Sequence, residues 1–337
     1  MSVFLKFTAV ILFGCFLGVA GVAWLWLNQP PGHSSSVRLV DIPPGTTFNQ
    51  VAHLLYEQQL IRAKWVFSIL GRLQNLDRKI FPGEYELHAG MRTTEILDKL
   101  AKGELVQHAV TIPEGYSVTQ IADVLSQKGM AKKVEVLQLN QDQLFIRSLH
   151  LSVPTLEGYL FPDTYQFARY TPAEAILKTM VNRFQEVVTP AIRNQAARMG
   201  MTLQEVLTLA SVVEKETGLP GERPLVAGVF HNRLKKNIPL QSDPTVIYAI
   251  ENFDGNIRKA DLSIDSPYNT YRVRGLPPGP IANPGLDAIK AVLDPTPTDY
   301  VYFVSRNDGS HEFSATLDEH NRAVEKYQRS GKTKQAS

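Results

Sequence analysis

The hydropathy pattern of the chain begins with a long apolar run. Residues 7–27 (FTAVILFGCFLGVAGVAWLWL) contain no charged side chain, and 21 residues in a helix are enough to cross a lipid bilayer. Trp24 and Trp26 stand near the end of the run, where aromatic side chains commonly meet the membrane interface. A cleaved signal peptide is the alternative, although its apolar core is usually shorter. We predict a cytoplasmic end at 1–6, a transmembrane helix at 7–27 and an extracytoplasmic remainder.

A second feature of the pattern is a repeat between residues 37 and 130, which follows a Pro-, Gly- and Ser-rich linker at 28–36. IPPG at 42–45 matches IPEG at 112–115, and both are followed by apolar residues at helical spacing. A weaker copy begins at Gly90. Each copy predicts a short strand, a glycine turn and an amphipathic helix, an arrangement that resembles LysM-like glycan-binding modules. The alternative is a spacer domain that binds no glycan, since a sequence repeat indicates how the units pack and does not by itself indicate a ligand.

The pattern from 131 to 329 predicts a domain of mixed α/β structure, and the polar residues 330–337 predict a disordered tail. The clearest element of this domain is a helix from about Thr202 to Thr217, in which Thr202 and Glu205 form a capping box. Together with the strands and helices of the repeat, this domain makes the predicted fold class α+β.

Two glutamates near the end of this helix lie on different faces. Glu216 continues the apolar face on which Leu209 and Val213 lie, whereas Glu214 points about 200° away from Glu216. A carboxyl group on a buried face is either a salt-bridged structural residue or a general acid whose pKa is raised by burial. The pattern alone leaves both interpretations open.

Composition narrows the possible chemistry. The net charge is +2 and the charged residues are spread along the chain, so no basic field indicates nucleic acid as a partner. Cys15 is the only cysteine, which excludes an intramolecular disulfide and a cysteine-based metal site. The eight histidines form no HxxH or HExxH pair. We therefore expect neither a metal nor a cofactor.

The strongest functional signal is a series of polar, Pro- and Gly-rich segments, which predict loops around a cleft. They are LEGYLFPDTY at 156–165, SVVEKET at 211–217, VFHNRL at 229–234, LQSDPTVIY at 240–248, SPYNTY at 266–271 and GLPPGPIANPG at 275–285. Together they closely resemble the endolytic murein transglycosylase family, also called YceG-like. The resemblance extends over nearly the whole chain, from the N-terminal anchor through the LysM-like part to the catalytic part.

This resemblance implies an enzyme that acts on the glycan strands of peptidoglycan. It would cleave the β-1,4 bond between N-acetylmuramic acid and N-acetylglucosamine within a strand and leave a 1,6-anhydromuramoyl end. Glu216, followed by Thr217, matches the catalytic Glu-Ser or Glu-Thr pair of lytic transglycosylases, and Glu214 is the runner-up. One carboxyl group suffices, because it can protonate the glycosidic oxygen and then take the proton of the attacking C6 hydroxyl.

The resemblance also implies a setting and partners. The expected location is the bacterial inner membrane, with a single membrane helix and the catalytic part outside the cytoplasm. The expected role is in cell-wall assembly, as a terminator of strand elongation, with glycan strands as substrate and cell-wall synthases as protein partners.

Polar residues would have to support the positive charge that develops on the sugar in this reaction. The candidates for substrate binding are Asn232, Gln241, Asp243, Tyr248, Tyr268 and Asn269. Asp243 has a second interpretation, as the cap of a helix that starts at Pro244. Two other functions stay open. One is a hydrolase of the same bond, in which Asp243 activates a water, and the other is a non-enzymatic glycan-binding scaffold.

Overall fold

Helices and a few short strands make up the described part of the chain. The computed structural model describes residues 14–15, 17–18, 21–22, 24–33, 35–76 and 80–329. Its strands are β1 (Arg38–Ile42), β2 (Gly83–Leu87), β3 (Gln107–Thr111), β4 (Thr164–Ala168), β5 (Tyr302–Ser305) and β6 (His311–Ser314). Its helices are α1 (Phe48–Glu57), α2 (Lys64–Leu73), α3 (Thr93–Lys102), α4 (Val118–Gln127), α5 (Lys133–Leu139), α6 (Gln143–Ser148), α7 (Ala173–Val187), α8 (Pro190–Arg198), α9 (Leu203–Glu216), α10 (Arg223–Lys235), α11 (Asp243–Ala249), α12 (Leu286–Leu293) and α13 (Leu317–Val324). The strands pair as β1 with β2, β3 with β4 and β5 with β6, and the predicted α+β class is confirmed.

The predicted N-terminal anchor falls mostly outside the described residues. Only parts of 7–27 are described, and no helix in the described part of the chain is long and apolar enough to cross a membrane. The predicted cytoplasmic end at 1–6 and the predicted tail at 330–337 lie wholly outside the described residues. These three assignments stay predictions.

The chain divides into two compact units, of which unit 1 spans Met1–Ala109 and Gln166–Thr171. Unit 1 is built on the antiparallel pair of β1 and β2, in which Val40 lies opposite Tyr85. Both side chains are fully buried, and the apolar faces of α1, α2 and α3 complete the same core. Burial of these amphipathic helix faces against the strands is what holds the unit together.

The two strong copies of the repeat share their local structure. Gly45 and Gly115 both have left-handed backbone conformations, with φ of 81° and 74°, which side chains other than glycine rarely adopt. The helix that follows each glycine begins with a capping box, formed by Thr47 in α1 and by Ser117 in α4 with the glutamine three residues later. The predicted order of strand, glycine turn and helix is present in both copies.

The second copy nevertheless belongs to unit 2, which comprises Val110–Tyr165 and Pro172–Ser337. The units therefore divide after Ala109, whereas the sequence analysis grouped all of residues 37–130 together. Val118, at the start of α4, donates its backbone N–H to Glu157 over 3.1 Å, and Tyr116 pairs with Asn283. The repeat could not indicate this division, because its two copies bury similar helix faces against different partners.

The core of unit 2 is centred on α9. Every residue from Val206 to Val213 is buried, and the helix packs against α8, α10, α11 and α12. Thr202 and Glu205 form the predicted capping box at its start. Thr217 has an extended backbone and ends the helix, so Glu216 is its last residue. The fold thus places this glutamate at the end of a helix whose middle is fully buried in unit 2.

Candidate active site

Glu216 is partly exposed at the C-terminal end of α9. The hydroxyl group of Ser242 donates a hydrogen bond to its Oε2 over 2.7 Å. Burial of the carboxyl group raises the pKa of Glu216 above its usual value, and the hydrogen bond from Ser242 opposes part of that rise. The environment therefore favours the protonated form, which is the form that a general acid needs.

Three titratable side chains also affect the pKa of Glu216. Asp243, like burial, raises the pKa of Glu216, because a second negative charge disfavours ionisation. Arg233 lowers the pKa of Glu216, as does His311 when it is protonated, since positive charge favours the carboxylate. Asp243 is itself held by Tyr271, whose hydroxyl donates to Oδ1 over 2.6 Å. Both a donor and a counter-charge are thus available to Glu216 after it has lost its proton.

Arg233 and His311 were not among the sequence candidates, and both are fixed by hydrogen bonds. Arg233, on α10, donates from Nε to the carbonyl of Val301 over 2.6 Å and from Nη1 to the carbonyl of Leu240 over 2.7 Å. His311, the first residue of β6, contacts Glu222 through Nδ1 over 2.7 Å. The local sequence of His311 carries no signal of this role, because the residue acts on the charge of Glu216 from an element distant in the chain.

A turn before α11 places Ser242 and Asp243 beside Glu216. Gln241 adopts a left-handed conformation with φ of 50°, and Ser242 is the buried N-cap residue of the helix. The Ser242 hydroxyl bonds to Glu216 instead of capping the helix. Asp243 is already the first residue of α11 and its carboxylate accepts from a tyrosine. The interpretation of Asp243 as a helix cap is therefore wrong.

Glu214 has a structural environment. Its side chain is 5% exposed, and its Oε1 forms an ion pair with Nη2 of Arg223 over 2.6 Å. Its Oε2 accepts the backbone N–H of Gly285 over 3.0 Å. Burial raises the pKa of Glu214, while Gly285 and Arg223 lower it. Both carboxylate oxygens are therefore engaged within the fold, in contrast to Glu216.

A second deeply buried carboxyl group, Glu157, was missed as a candidate. It lies in LEGYLFPDTY, is 5% exposed, and accepts from the backbone of Val118, from Asn283 Nδ2 over 3.1 Å and from the hydroxyl of Tyr248 over 3.3 Å. The ring of Tyr268 packs on Tyr248 with centroids 4.9 Å apart. Burial raises the pKa of Glu157 to about 8, against the opposing effect of its hydrogen bonds. An acidic residue inside an aromatic run was the signal that could have revealed it.

The tyrosine candidates and Asp243 interact with different glutamates. Tyr248 and Tyr268 contact each other, and Tyr248 bonds to Glu157, whereas Asp243 acts on Glu216. Both Asp243 and Tyr248 lie on α11, at its start and near its end.

The two asparagine candidates hold loops in place. Asn232 donates from Nδ2 to the carbonyls of Thr298 and Tyr300 over 2.7 and 2.9 Å, and it lines a cavity of about 560 Å³ beside the segment 295–299. Asn269 is fully buried and donates to two backbone carbonyls of the preceding loop over 3.0 and 2.8 Å. Gln241 is exposed next to Ser242. Substrate contact by these three residues stays a prediction.

A metal site needs several ligating side chains close together. Among the residues that the structure describes, no group of three or more His, Cys, Asp or Glu side chains is arranged to hold a metal ion. Cys15, which is exposed, lies outside unit 2.

Comparison with known proteins places this geometry in a family. A model of the YceG-like family matches residues 40–326, which is most of the chain and includes every candidate named above. The chain belongs to the YceG-like family. The predicted resemblance is thereby confirmed.

Two relatives of this YceG-like protein bear the name endolytic murein transglycosylase. That of Bacillus subtilis strain 168 is 35% identical over 329 residues, which cover 92% of this chain and 91% of that protein. That of Streptococcus pneumoniae strain D39 is 33% identical over 353 aligned positions, which cover 95% of this chain and 64% of that longer protein. The crystal structure of a yceG-like protein from Listeria monocytogenes matches with a TM-score of 0.60 and 35% identity, over 86% of this chain and 99% of that one.

Proposed function

We propose that this YceG-like protein is an endolytic murein transglycosylase in which Glu216 is the general acid and base. It cleaves the β-1,4 bond between N-acetylmuramic acid and N-acetylglucosamine within glycan strands and leaves 1,6-anhydromuramoyl ends. The observation that carries the proposal is the environment of the Glu216 carboxyl group: its partial burial favours the protonated form, and Ser242 donates a hydrogen bond to it. The names of relatives that match nearly the whole chain support the same reaction.

The reaction needs one group that first gives and then takes a proton. Protonated Glu216 donates its proton to the glycosidic oxygen while the bond between that oxygen and C1 of the muramoyl sugar breaks. The carboxylate that remains accepts the hydrogen bond from Ser242, and His311 and Arg233 favour its charge. It then takes the proton of the C6 hydroxyl as the C6 oxygen bonds to C1. Glu216 is protonated again, and no water is consumed.

Asp243 assists the cleavage of the glycosidic bond through its negative charge. After burial, Asp243 is the main factor that raises the pKa of Glu216. The two carboxyl groups therefore interact. A negative charge held there by Tyr271 would stabilise the positive charge that develops on the muramoyl ring. The same residue supports the second candidate function, a hydrolase in which Asp243 activates a water.

The products distinguish the two reactions. Purified protein should release muropeptides with 1,6-anhydro ends from isolated sacculi, as detected by mass spectrometry, and Glu216→Gln should release almost none. Reducing ends from the wild type would establish the hydrolase instead. If the wild type released no fragments while it still bound glycan, the remaining function would be that of a non-enzymatic scaffold.

For the N-terminus we propose a single-pass anchor at 7–27 in the bacterial inner membrane, with residues 28–337 outside the cytoplasm. The uncharged run of 21 residues supports this arrangement, and cell-wall synthases are the protein partners that such a location allows. Alkaline phosphatase fused after Ser337 should be active in cells, because it folds only after export. If this fusion were inactive, and a reporter that works only in the cytoplasm were active at the same position, both the proposed location and the proposed substrate would be overturned.

For unit 1 we propose a LysM-like role in holding glycan. A cavity of about 630 Å³ in this unit carries Arg38 and Gln59 as polar groups and Tyr56 as an exposed aromatic ring, on which the C–H face of a sugar can stack. Tyr56→Ala should therefore weaken binding to intact sacculi while cleavage of short soluble strands is unchanged. Equal binding by the variant and the wild type would leave unit 1 as a spacer.

A further inference from the structure

Helix α11 is tied to a glutamate at each of its ends. At its start, the N-cap residue Ser242 donates to Glu216 over 2.7 Å. Near its end, Tyr248 donates to Glu157 over 3.3 Å. The helix has seven residues, and so short a helix depends on its tertiary contacts for its position. A group that fixes Tyr248 therefore contributes to the position of Ser242 and Asp243 beside Glu216.

Glu157 is well placed to fix Tyr248. Both of its carboxyl oxygens accept the backbone N–H of Val118, over 3.1 and 3.2 Å. Oε1 also accepts Nδ2 of Asn283, a fully buried side chain that in turn accepts the N–H of Leu160 over 2.8 Å. These bonds leave the carboxyl group little freedom, so the hydroxyl of Tyr248 meets a partner whose place is set by two other segments of unit 2, at Val118 and at Asn283.

Burial of a carboxyl group costs free energy unless the group is hydrogen-bonded, so an apolar side chain would suit a position that needs only packing. Burial raises the pKa of Glu157 to about 8, so at neutral pH the group carries a proton and bonds to Tyr248 as a neutral acid. Tyr248 and Tyr268 are the titratable side chains that face it. The bond between Glu157 and Tyr248 can persist in either protonation state, since the tyrosine hydroxyl can both donate and accept.

We propose that Glu157 is a positioning residue: by holding the hydroxyl of Tyr248 it sets the place of α11, and through α11 the place of Ser242 and Asp243 against Glu216. The inference rests on the proposed transglycosylase function, in which those two residues serve the acid. Displacement of a positioned group by even 1 Å can cost catalysis heavily. Glu157 thus affects the chemical step without contact with the sugar.

The test compares variants that remove this bond with variants that keep it. Tyr248→Phe removes one hydroxyl group, Glu157→Leu removes the acceptor, and Glu157→Gln preserves both the shape and a hydrogen-bonding group. Tyr85→Phe is the matched control, because it removes a buried tyrosine hydroxyl in unit 1 that donates to a backbone carbonyl over 2.7 Å. Each variant is measured by kcat and KM on soluble glycan strands, by the pH profile of kcat/KM, and by hydrogen exchange of the backbone amides of α11.

Tyr248→Phe should lower kcat by about tenfold with KM nearly unchanged, shift the basic limb of the pH profile, and speed amide exchange in α11. Glu157→Leu should do the same, and its effect on kcat should largely vanish in the Tyr248→Phe background, because both changes break one connection. Glu157→Gln should retain most of the activity, and Tyr85→Phe all of it. If Glu157→Leu does not fold, Tyr248→Phe carries the test.

Several results would overturn the inference. Wild-type kcat and wild-type exchange of α11 in Tyr248→Phe would show that the bond does not position the helix. A raised KM with unchanged kcat would make Tyr248 a substrate contact instead. If the wild-type protein released no anhydro ends, the proposed function would fail by itself, and amide exchange would then decide whether Glu157 positions α11.

Discussion

Ser242 and Glu216 are joined by one hydrogen bond of 2.7 Å, although 26 residues separate them in the chain. Burial raises the pKa of Glu216, and this hydrogen bond lowers it because the serine donates to the carboxylate. The next residue, Asp243, acts in the opposite sense through its negative charge. Two adjacent residues at the start of α11 therefore adjust one acid in opposite directions.

Replacement of these two residues should move the pH profile in opposite directions. Glu216 must be protonated to act as an acid, so the rate falls as the pH rises past its pKa. Ser242→Ala raises that pKa and should move the fall to higher pH, whereas Asp243→Asn lowers it and should move the fall to lower pH. The measurement is kcat/KM against pH on soluble strands. Shifts of the same sign in both variants would contradict this account.

Glu216→Gln should abolish cleavage while the fold is retained. Glutamine has nearly the shape of glutamate and can still accept from Ser242, but it cannot donate and take back the proton. We expect a loss in kcat of at least the roughly 10²–10⁴ that is typical of general acid–base catalysis. Thermal unfolding of the variant should resemble that of the wild type. Full activity of a well-folded Glu216→Gln would exclude the mechanism.

Glu214→Gln should act on stability instead of chemistry. The change removes the negative charge that pairs with the buried guanidinium of Arg223 at 2.6 Å, and Glu114, at 3.3 Å and more exposed, compensates only in part. Breaking a buried ion pair costs roughly 3–5 kcal/mol, and we expect the lower end of that range because Glu114 remains. Urea unfolding measures the loss. Glu135→Gln, on the surface of α5, is the control and should change stability by less than about 0.5 kcal/mol.

At temperatures where Glu214→Gln is folded, it should still release anhydro ends. An inactive Glu214→Gln beside an active Glu216→Gln would move the catalytic role by two residues.

Glu157 should make the protein less stable as the pH rises. Its pKa is raised from 4.5 to about 8 by burial, so between these values the folded state holds a proton that the unfolded chain has lost. Below pH 4.5 this contribution is fully present, and it is lost as the pH rises through about 8. The free energy of unfolding of the wild type minus that of Glu157→Gln should fall by up to about 1.4 kcal/mol per pH unit in this window. A difference independent of pH would show that Glu157 is ionised in the folded state.

The division between the units predicts which truncations fold. A chain that begins at Val110 keeps α4 and should unfold cooperatively on heating, as followed by circular dichroism. A chain that begins at residue 131 lacks the backbone groups of Val118 and Tyr116 that Glu157 and Asn283 bind, so each of these buried polar side chains loses a hydrogen-bond partner. We expect it not to fold. Equal folding of both chains would restore the boundary at 130 that the repeat predicts.

The sequence by itself determined the features that depend on neighbours along the chain. The helical period of α9 shows which face is buried, and therefore that Glu216 lies with the apolar residues and Glu214 does not. The capping box at Thr202 and the strand, turn and helix of each repeat copy are local as well, because their hydrogen bonds join residues three or four positions apart. The long polar motifs were specific enough to indicate the family.

Only the tertiary structure decided which distant groups meet. Ser242, Arg233 and His311 reach Glu216 from three other elements, and no periodicity within one helix records its partners in another. In the same way, only the structure shows that the side-chain amides of Asn232 and Asn269, both candidates for substrate binding, donate to backbone carbonyls, because the buried carbonyl groups of a loop need hydrogen-bond donors. Glu157 went unnoticed for the converse reason, since a carboxyl group is exposed by default and only the packing of α4, α11 and Asn283 around it makes it a buried acid.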